Sequence, residues 1–447
     1  MAAEPTDLPD EVPRTLAEAP PPRLLGLWDQ TALWGNLGIS LLLLVAATFV
    51  LAPDPGLPPL SVGAALVAVV VGALIGNVLL GLGAVPGAET GAPAMVLLRG
   101  MLGWRGSWLP TACNVVQNIG WATLEIWVIA DAAARLTDGS LRWVFTVAAG
   151  AAATLMAVRP LGVVRGYLKR VAVWAVLAST AYLFVRVLGR DFPPLFDGSW
   201  RAFWKGADIV IALPVSWIPL AADYSRHSRT ARAAFGGAFF GYGAATVAFF
   251  SLGILAYSSF ALDAGAGGQV DVIASLLALP AGALALLILA ADEVDEAFAN
   301  VYSTVVSTQN VAPRLDRRWM TVPVGVLCTG LALFVDILDY ENFLFLIGSV
   351  FVPLFAAFAV DYYVLRRGHW DVTERARPRW EMVVPWAAGF AAYQLVNPGT
   401  VGWWSGWWID RQTDLGFTSP AWASASLVSF AVAAALAFVV GRLSPRH

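Results

Sequence analysis

Leu279-Pro-Ala-Gly-Ala-Leu-Ala-Leu-Leu-Ile-Leu-Ala-Ala-Asp-Glu-Val-Asp-Glu-Ala-Phe-Ala-Asn-Val-Tyr-Ser-Thr-Val-Val-Ser307 has the length of a membrane-spanning helix and four acids at its middle. Thirteen uncharged residues, Leu279 to Ala291, precede Asp292, Glu293, Asp295 and Glu296. The next basic residue is Arg314. At about 2.5–3.5 kcal/mol per central charge, exposing all four acids to lipid would cost on the order of 10 kcal/mol or more. They must therefore face protein, water or a cation, and an ionisable residue inside a membrane marks a functional site.

The rest of the chain agrees with a polytopic membrane protein. Of 447 residues, 58% are hydrophobic and 13% charged, against about 25% charged in a soluble domain. The mean hydropathy is +0.68. Cys113 and Cys328 both fall in apolar runs, which speaks against a disulfide framework or a metal site. His227, His369 and His447 lie in basic loops or at the terminus and offer no catalytic base. Residues 1–23 are rich in Pro and Glu, have no apolar run, and read as a disordered tail with no cleaved signal.

Apolar stretches able to cross about 30 Å begin near positions 31, 60, 107, 141, 168, 205, 235, 276, 321, 343, 382 and 421. Twelve spans put both termini on one side. The terminal segments and even-numbered loops hold 21 of the 28 Lys and Arg, among them Arg159, Arg165, Lys169, Arg170, the run from Arg366 to Arg379, and Arg446. The positive-inside rule then makes both termini cytoplasmic, and the plasma membrane the expected location. Trp403, Trp404, Trp407 and Trp408 fall in the last external loop and suit an interfacial aromatic belt.

Two spans carry interruptions. The first reads Trp34-Gly-Asn-Leu-Gly-Ile-Ser40, with Gly35 and Gly38 flanking Asn36. The sixth reads Leu213-Pro-Val-Ser-Trp-Ile-Pro219, and Pro214 and Pro219 should break or kink it. Counted in fives, these spans correspond, and a matched pair of interruptions points to a secondary transporter built from inverted repeats. Unwound backbone there would offer carbonyls to a cation and amides to a substrate near the midplane.

The third spans of the two halves supply the polar groups. In the first half, Asn114, Asn118, Trp121 and Glu125 form one stripe, with Gln117 beside it. Asn114 reads best as a bond to a neighbouring helix, and Glu125 as a functional acid. In the second half, a continuous helix would place Asp292, Glu293, Glu296, Asn300, Ser303 and Ser307 within an arc of about 100°, with Asp295 about 60° outside it.

These residues resemble the nucleobase:cation symporter family 1, the cytosine, allantoin and hydantoin permeases. The likeness rests on Gly87-Ala-Glu-Thr-Gly-Ala-Pro93 with Arg99 and Gly103-Trp-Arg-Gly-Ser107; Gly120-Trp-Ala-Thr-Leu-Glu-Ile-Trp127; Pro219-Leu-Ala-Ala-Asp-Tyr-Ser-Arg226; and Gly348-Ser-Val-Phe-Val-Pro353 with Asp361-Tyr-Tyr-Val-Leu-Arg-Arg367. The resemblance implies an all-α LeuT-like fold of five plus five inverted helices with two more at the C-terminus. The expected divisions are a tail at 1–23, repeats at 24–190 and 204–367, and the last two helices at 381–441. It also implies a substrate site with Trp121 as the stacking aromatic, Glu125 where the family often has Gln, and Asn300 on the eighth span. Trp217, Ser40 and Gln117 complete the expected substrate set. A cation site is implied near Asn36 and Ile39 of the first span and Ala291, Val294 and Asp295 of the eighth. Val294 and Asp295 stand where the family has a hydroxyl pair, so both Na⁺ and H⁺ stay open as the coupling ion.

An ionised Glu125 only accepts hydrogen bonds, which favours a ring edge with two adjacent donors, while Asn300 can read a neighbouring carbonyl. That suits cytosine, guanine or an aminopyrimidine precursor of thiamine better than uracil. Allantoin and hydantoin are the alternatives within the family. The expected partners are such a heterocycle and the lipid bilayer, with no nucleic acid, cofactor or catalytic residue. A metal-dependent prenyl-transfer type of enzyme would need acids at a water-facing end with basic residues nearby. A channel would need a polar stripe running through Leu279–Ala291, and an amino-acid carrier would be repelled by Glu125.

Overall fold

The computed structural model describes residues 14–16, 21–54, 56–137, 139–158, 173–264, 270–335 and 340–444. Arg159, Arg165, Lys169, Arg170, Arg446, His447 and most of the 1–23 segment lie outside the described residues. Among the described residues every regular element is a helix. The isolated β-bridges Leu25–Ser228 and Leu60–Ser199 are the exceptions to helical pairing.

Helices stand at all twelve expected positions. The first span is a pair, α1 (Leu27–Asn36) and α2 (Leu41–Leu51), bent by 68° at the break. Then come α3 (Val62–Thr90), the connecting helix α4 (Ala94–Gly106), α5 (Trp108–Ala134), α6 (Arg142–Val158) and α7 (Val173–Leu188). The second half holds α8 (Phe203–Ser225), α9 (Ala231–Ala264, with a π-turn at Ala238–Tyr242) and the short α10 (Val272–Leu277). It continues with α11 (Gly282–Asp292), α12 (Val294–Val311), α13 (Arg317–Ala332) and α14 (Tyr340–Leu365). The chain ends with α15 (Val383–Val396), α16 (Gly402–Asp414) and α17 (Ala425–Leu443). Five of these helices are long and apolar enough to cross a membrane, or six with the bent α1–α2 pair. The acids of α11–α12 and the polar stripe of α5 lower the apolarity of those two spans.

The interruptions fall differently from the sequence expectation. The first span breaks at Leu37–Ile39 as expected, but α8 runs as one helix through both Pro214 and Pro219. Every residue from Gly206 to Ser225 is buried, and α5 supplies donors to this stretch: Gln117 Nε2 to the Ser216 carbonyl at 3.0 Å and Asn114 Nδ2 to that of Pro219 at 3.1 Å. The carbonyls deprived of a donor by Pro214 and Pro219 are those of Val210 and Val215, so these two bonds tie α5 to α8 and do not replace the missing ones. The eighth span has only a one-residue irregularity at Glu293, between α11 and α12, where φ −53° and ψ −22° stay in the helical region.

The helices pack in two groups. In one, α5, α6, α12 and α13 each touch the other three. In the other, α3 packs on α8 and α9, and the α1–α2 pair packs on α8 and α9. Within the first group α6 and α13 meet at small residues: a Cβ on Gly150 would collide with Thr329, and one on Gly325 with Thr154. Each Thr also bonds back along its own helix, Thr154 to the Gly150 carbonyl at 2.6 Å and Thr329 to that of Gly325 at 2.7 Å. The same Gly-x-x-x-Thr pattern thus serves the fourth span and the ninth. Helices α15 and α17 pack on each other and on α14. Asp208 of α8 joins the N-terminus of α17, accepting from Ser424 Oγ at 2.5 Å and Ala425 N at 2.7 Å. The Trp403–Trp408 segment is helical: Trp403 and Trp407 point outward, while Trp404 and Trp408 lie against Phe390.

Candidate functional site

The α1–α2 break faces the α11–α12 junction. Asn36 ends α1, is 1% exposed, and donates Nδ2 to Asp292 Oδ1 at 3.1 Å and also to Asp295 Oδ2. Ser40 caps α2 by accepting from Leu42 N at 3.1 Å. Its hydroxyl donates to Glu293 Oε1 at 2.5 Å, and Leu41 N donates to Glu293 Oε2 at 2.9 Å. Glu293 therefore sits on the positive end of the α2 dipole with two of that end's donors. The acids face two sets of partners, Asp292 and Asp295 bonded to Asn36, and Glu293 and Glu296 grouped with Glu125 of α5.

The second group closes on Glu125. One carboxylate oxygen from each of Glu125, Glu293 and Glu296 lies within 4.8 Å of the other two. All three residues are buried, as are Asp292 and Asp295. No Lys or Arg among the described residues forms an ion pair with any of the five. Five acids in one dry place require positive charge from a proton, a metal ion or a bound cationic group. Oxygen-rich sets of this kind suit hard cations: the Asp292 and Asp295 carboxylates, bonded by the Asn36 N–H groups, as one, and Glu125 with Glu293 and Glu296 as the other.

Aromatic rings wall the second group. Trp121 stands one turn before Glu125 and meets Tyr340 edge-on at 6.0 Å and Phe343 at 5.3 Å. Tyr340 opens α14, and its hydroxyl lies in the field of Glu125, Glu296 and Glu293. On the other side the π-turn of α9 presents Tyr242 to Glu296 and Glu125. Four buried polar atoms around this spot have no hydrogen-bond partner: Glu125 Oε2, Glu296 Oε1, Tyr340 Oη and Trp121 Nε1.

The expected substrate residues are only partly gathered. Trp121 and Glu125 are at the centre. Asn300 lies one turn beyond Glu296, buried, with Nδ2 bonded to the Glu296 carbonyl at 3.1 Å. Gln117 spends its amide N–H groups on Asn114 and Ser216, leaving Oε1 unpartnered. Ser40 is bonded to Glu293. The ring partners of Trp217 are Trp34 at 6.0 Å and Tyr242 at 5.9 Å, a different cluster from that of Trp121. In the expected cation set, Asn36 and Asp295 meet, while the Asn36 carbonyl accepts from Ile39 N at 3.1 Å. Ala291 is exposed and Val294 half-buried. Tyr340, Tyr242 and Trp34 escaped the sequence reading. Gly241-Tyr-Gly243 inside an apolar span was the available signal for Tyr242, since that motif allows the π-turn.

The remaining motif residues are joints at the basic end. Asp223 Oδ1 accepts from Ala94 N at 2.9 Å and starts α4. Arg99 of α4 bonds Asn310 at the end of α12, Nε to Oδ1 at 2.7 Å and Nη2 to the carbonyl at 3.0 Å. Asp361 takes Arg379 in a two-point pair at 2.8 and 3.0 Å.

A family model described as "Permease for cytosine/purines, uracil, thiamine, allantoin" matches residues 22–392. Among solved structures, Mhp1, a nucleobase-cation-symport-1 family transporter, closed with bromovinylhydantoin bound, has a TM-score of 0.71 at 16% identity, covering 97% of this chain and 95% of that one. Its inward-facing form gives 0.68 at 16% identity over 99% and 94%. A Na⁺-coupled sialic acid symporter, substrate-bound and outward-open, gives 0.65 at 12% identity over 94% and 90%. At these identities the structures show a shared fold, the all-helical LeuT-like one. No curated protein matches the chain.

Proposed function

The chain belongs to the family of permeases for cytosine/purines, uracil, thiamine and allantoin, and from that we propose that it imports a planar nitrogen heterocycle by cation symport. The substrate class is a nucleobase such as cytosine or a related aminopyrimidine. The observation that carries this reading is Trp121 standing beside the unpartnered acceptors of Glu125 and Glu296. An aromatic face contributes about 1–3 kcal/mol to a stacked base, and the two acceptors suit an edge with adjacent N–H donors.

The cation would occupy the Asn36–Asp292–Asp295 group, where α1 and α11–α12 meet. Alternating access follows from rocking one helix group against the other around this site, with both termini in the cytoplasm of a cell whose plasma membrane holds the protein. Na⁺ or H⁺ would serve as the ion. A hydroxymethylpyrimidine, allantoin or hydantoin substrate would use the same stacking face.

Quenching of Trp fluorescence in the purified protein tests this, with cytosine, an aminopyrimidine, uracil, allantoin and hydantoin as ligands and Na⁺ and pH varied. Saturable quenching by a planar heterocycle, strengthened by Na⁺ or by a change of pH, is expected. If none of the panel binds, the transport reading of this site is wrong.

A further inference from the structure

Glu125, Glu296, Tyr340 and Trp121 are 1%, 4%, 1% and 6% exposed, come from three helices, and each has a buried polar atom without a partner; a Glu125 and a Glu296 oxygen lie within 4.8 Å of each other, and the Trp121 and Tyr340 rings meet at 6.0 Å. Glu293, third of the acids there, already accepts Ser40 and Leu41. Two carboxylate oxygens are thus left to receive hydrogen bonds, within a group whose oxygens lie inside 4.8 Å of each other. A neutral heterocycle placed between them would satisfy these acceptors and leave the like charges uncompensated. An amidinium edge does both: its parallel N–H groups reach one oxygen of each carboxylate, and it brings the missing positive charge. The walls fit the same guest, because Trp121 and Tyr340 offer ring faces and edges to a flat cation.

We infer that the substrate is bound as a cation: a heteroaromatic cyclic amidine, with an amino group beside a protonated ring nitrogen, bridging Glu125 and Glu296 against Trp121. This rests on the proposed function and narrows it, since uracil, allantoin and hydantoin carry no such edge. The Tyr340 hydroxyl is a positioning group on the same edge.

The test uses two ligands of one ring size, 2-aminopyridine at a pH where its ring nitrogen is protonated, and 2-pyridone, in which a carbonyl replaces the amine. Binding to the purified full-length protein is measured by calorimetry, with cytosine, uracil and hydantoin run alongside. The aminopyridinium should bind at least 30-fold more tightly than 2-pyridone, roughly the effect of one buried charge pair. Glu125→Gln and, separately, Glu296→Gln should remove that preference, bringing the two ligands within about 3-fold of each other. Equal or tighter binding of 2-pyridone, uracil or hydantoin by the wild-type protein overturns the cationic substrate and leaves the proposed transport of planar heterocycles standing. Binding of none of them overturns both. Mn²⁺ bound by the wild type and lost in Glu125→Gln would assign the carboxylates to a metal ion, and the inference would fall on that result also.

Discussion

Ser40→Ala tests the junction between the first and eighth spans. The hydroxyl has two bonds, accepting Leu42 N to cap α2 and donating to Glu293 at 2.5 Å, and Ser40 is 1% exposed. Losing an N-cap costs about 0.5–2 kcal/mol, and losing a hydrogen bond to a charged group about 1.5–3 kcal/mol. The sum, about 2–5 kcal/mol, is large for one oxygen atom. Because the cap does not depend on Glu293 and the second bond does, the two parts separate in a double-mutant cycle with Glu293→Gln. Reversible unfolding of the purified protein in mixed micelles, read by Trp fluorescence, gives the four stabilities. A coupling of about 1.5–3 kcal/mol is expected, and Ser40→Thr should restore most of it. Coupling below about 0.5 kcal/mol would refute the claim that this bond holds Glu293 on α2.

Asn36→Ala should raise the half-saturating concentration of the coupling cation at least tenfold, while substrate binding at saturating cation stays within about threefold; uptake against a cation series checks it. Gly325→Val should destabilise the protein by about 1–3 kcal/mol through overpacking against Thr154, whereas Gly330→Ala, with open space around it, should be near neutral in the same melting experiment. His227 lies just past α8, where burial, then the nearby Arg226, pushes its pKa from 6.5 down to about 3. It is neutral when packed, and the detached chain takes up a proton below about pH 6.5. The attachment of Leu25, bonded to the His227 carbonyl at 2.9 Å, should therefore be fully stable above that pH and weaken as pH falls toward 3. At pH 5 the loss is about 2 kcal/mol. Hydrogen exchange at residues 21–26 should report it, and His227→Gln should flatten the pH dependence.

The helical plan was legible because lipid leaves no other option: long apolar runs, lopsided Arg and Lys, and Gly-Asn-Leu-Gly at 35–38 all bear on one chain segment at a time. Glu125 and the acids of the eighth span were legible for the same reason, being costly wherever they point. What failed was non-local. Pro214 and Pro219 do not end α8, which is buried from Gly206 to Ser225 and bonded by α5 residues some hundred positions earlier. Glu293 bonds Ser40 and Leu41 across the seam, which no window around residue 293 contains. Tyr340 was missed because an aromatic at the start of a span is ordinary until its neighbours are known.

All five carboxylates stand on α5 and the α11–α12 pair, while the groups that bond them from across the seam, the Asn36 amide, the Ser40 hydroxyl and the Leu41 N–H, stand on the α1–α2 pair and are neutral. Parting the two walls therefore never pulls opposite charges out of contact in a dry interior, a separation that would cost several kcal/mol per ion. It undoes a few hydrogen bonds to charged acceptors, about 1.5–3 kcal/mol each, which incoming water can replace. A hinge wired this way keeps its electrical load on one leaf, so the other leaf can swing without carrying charge through the low-dielectric gap.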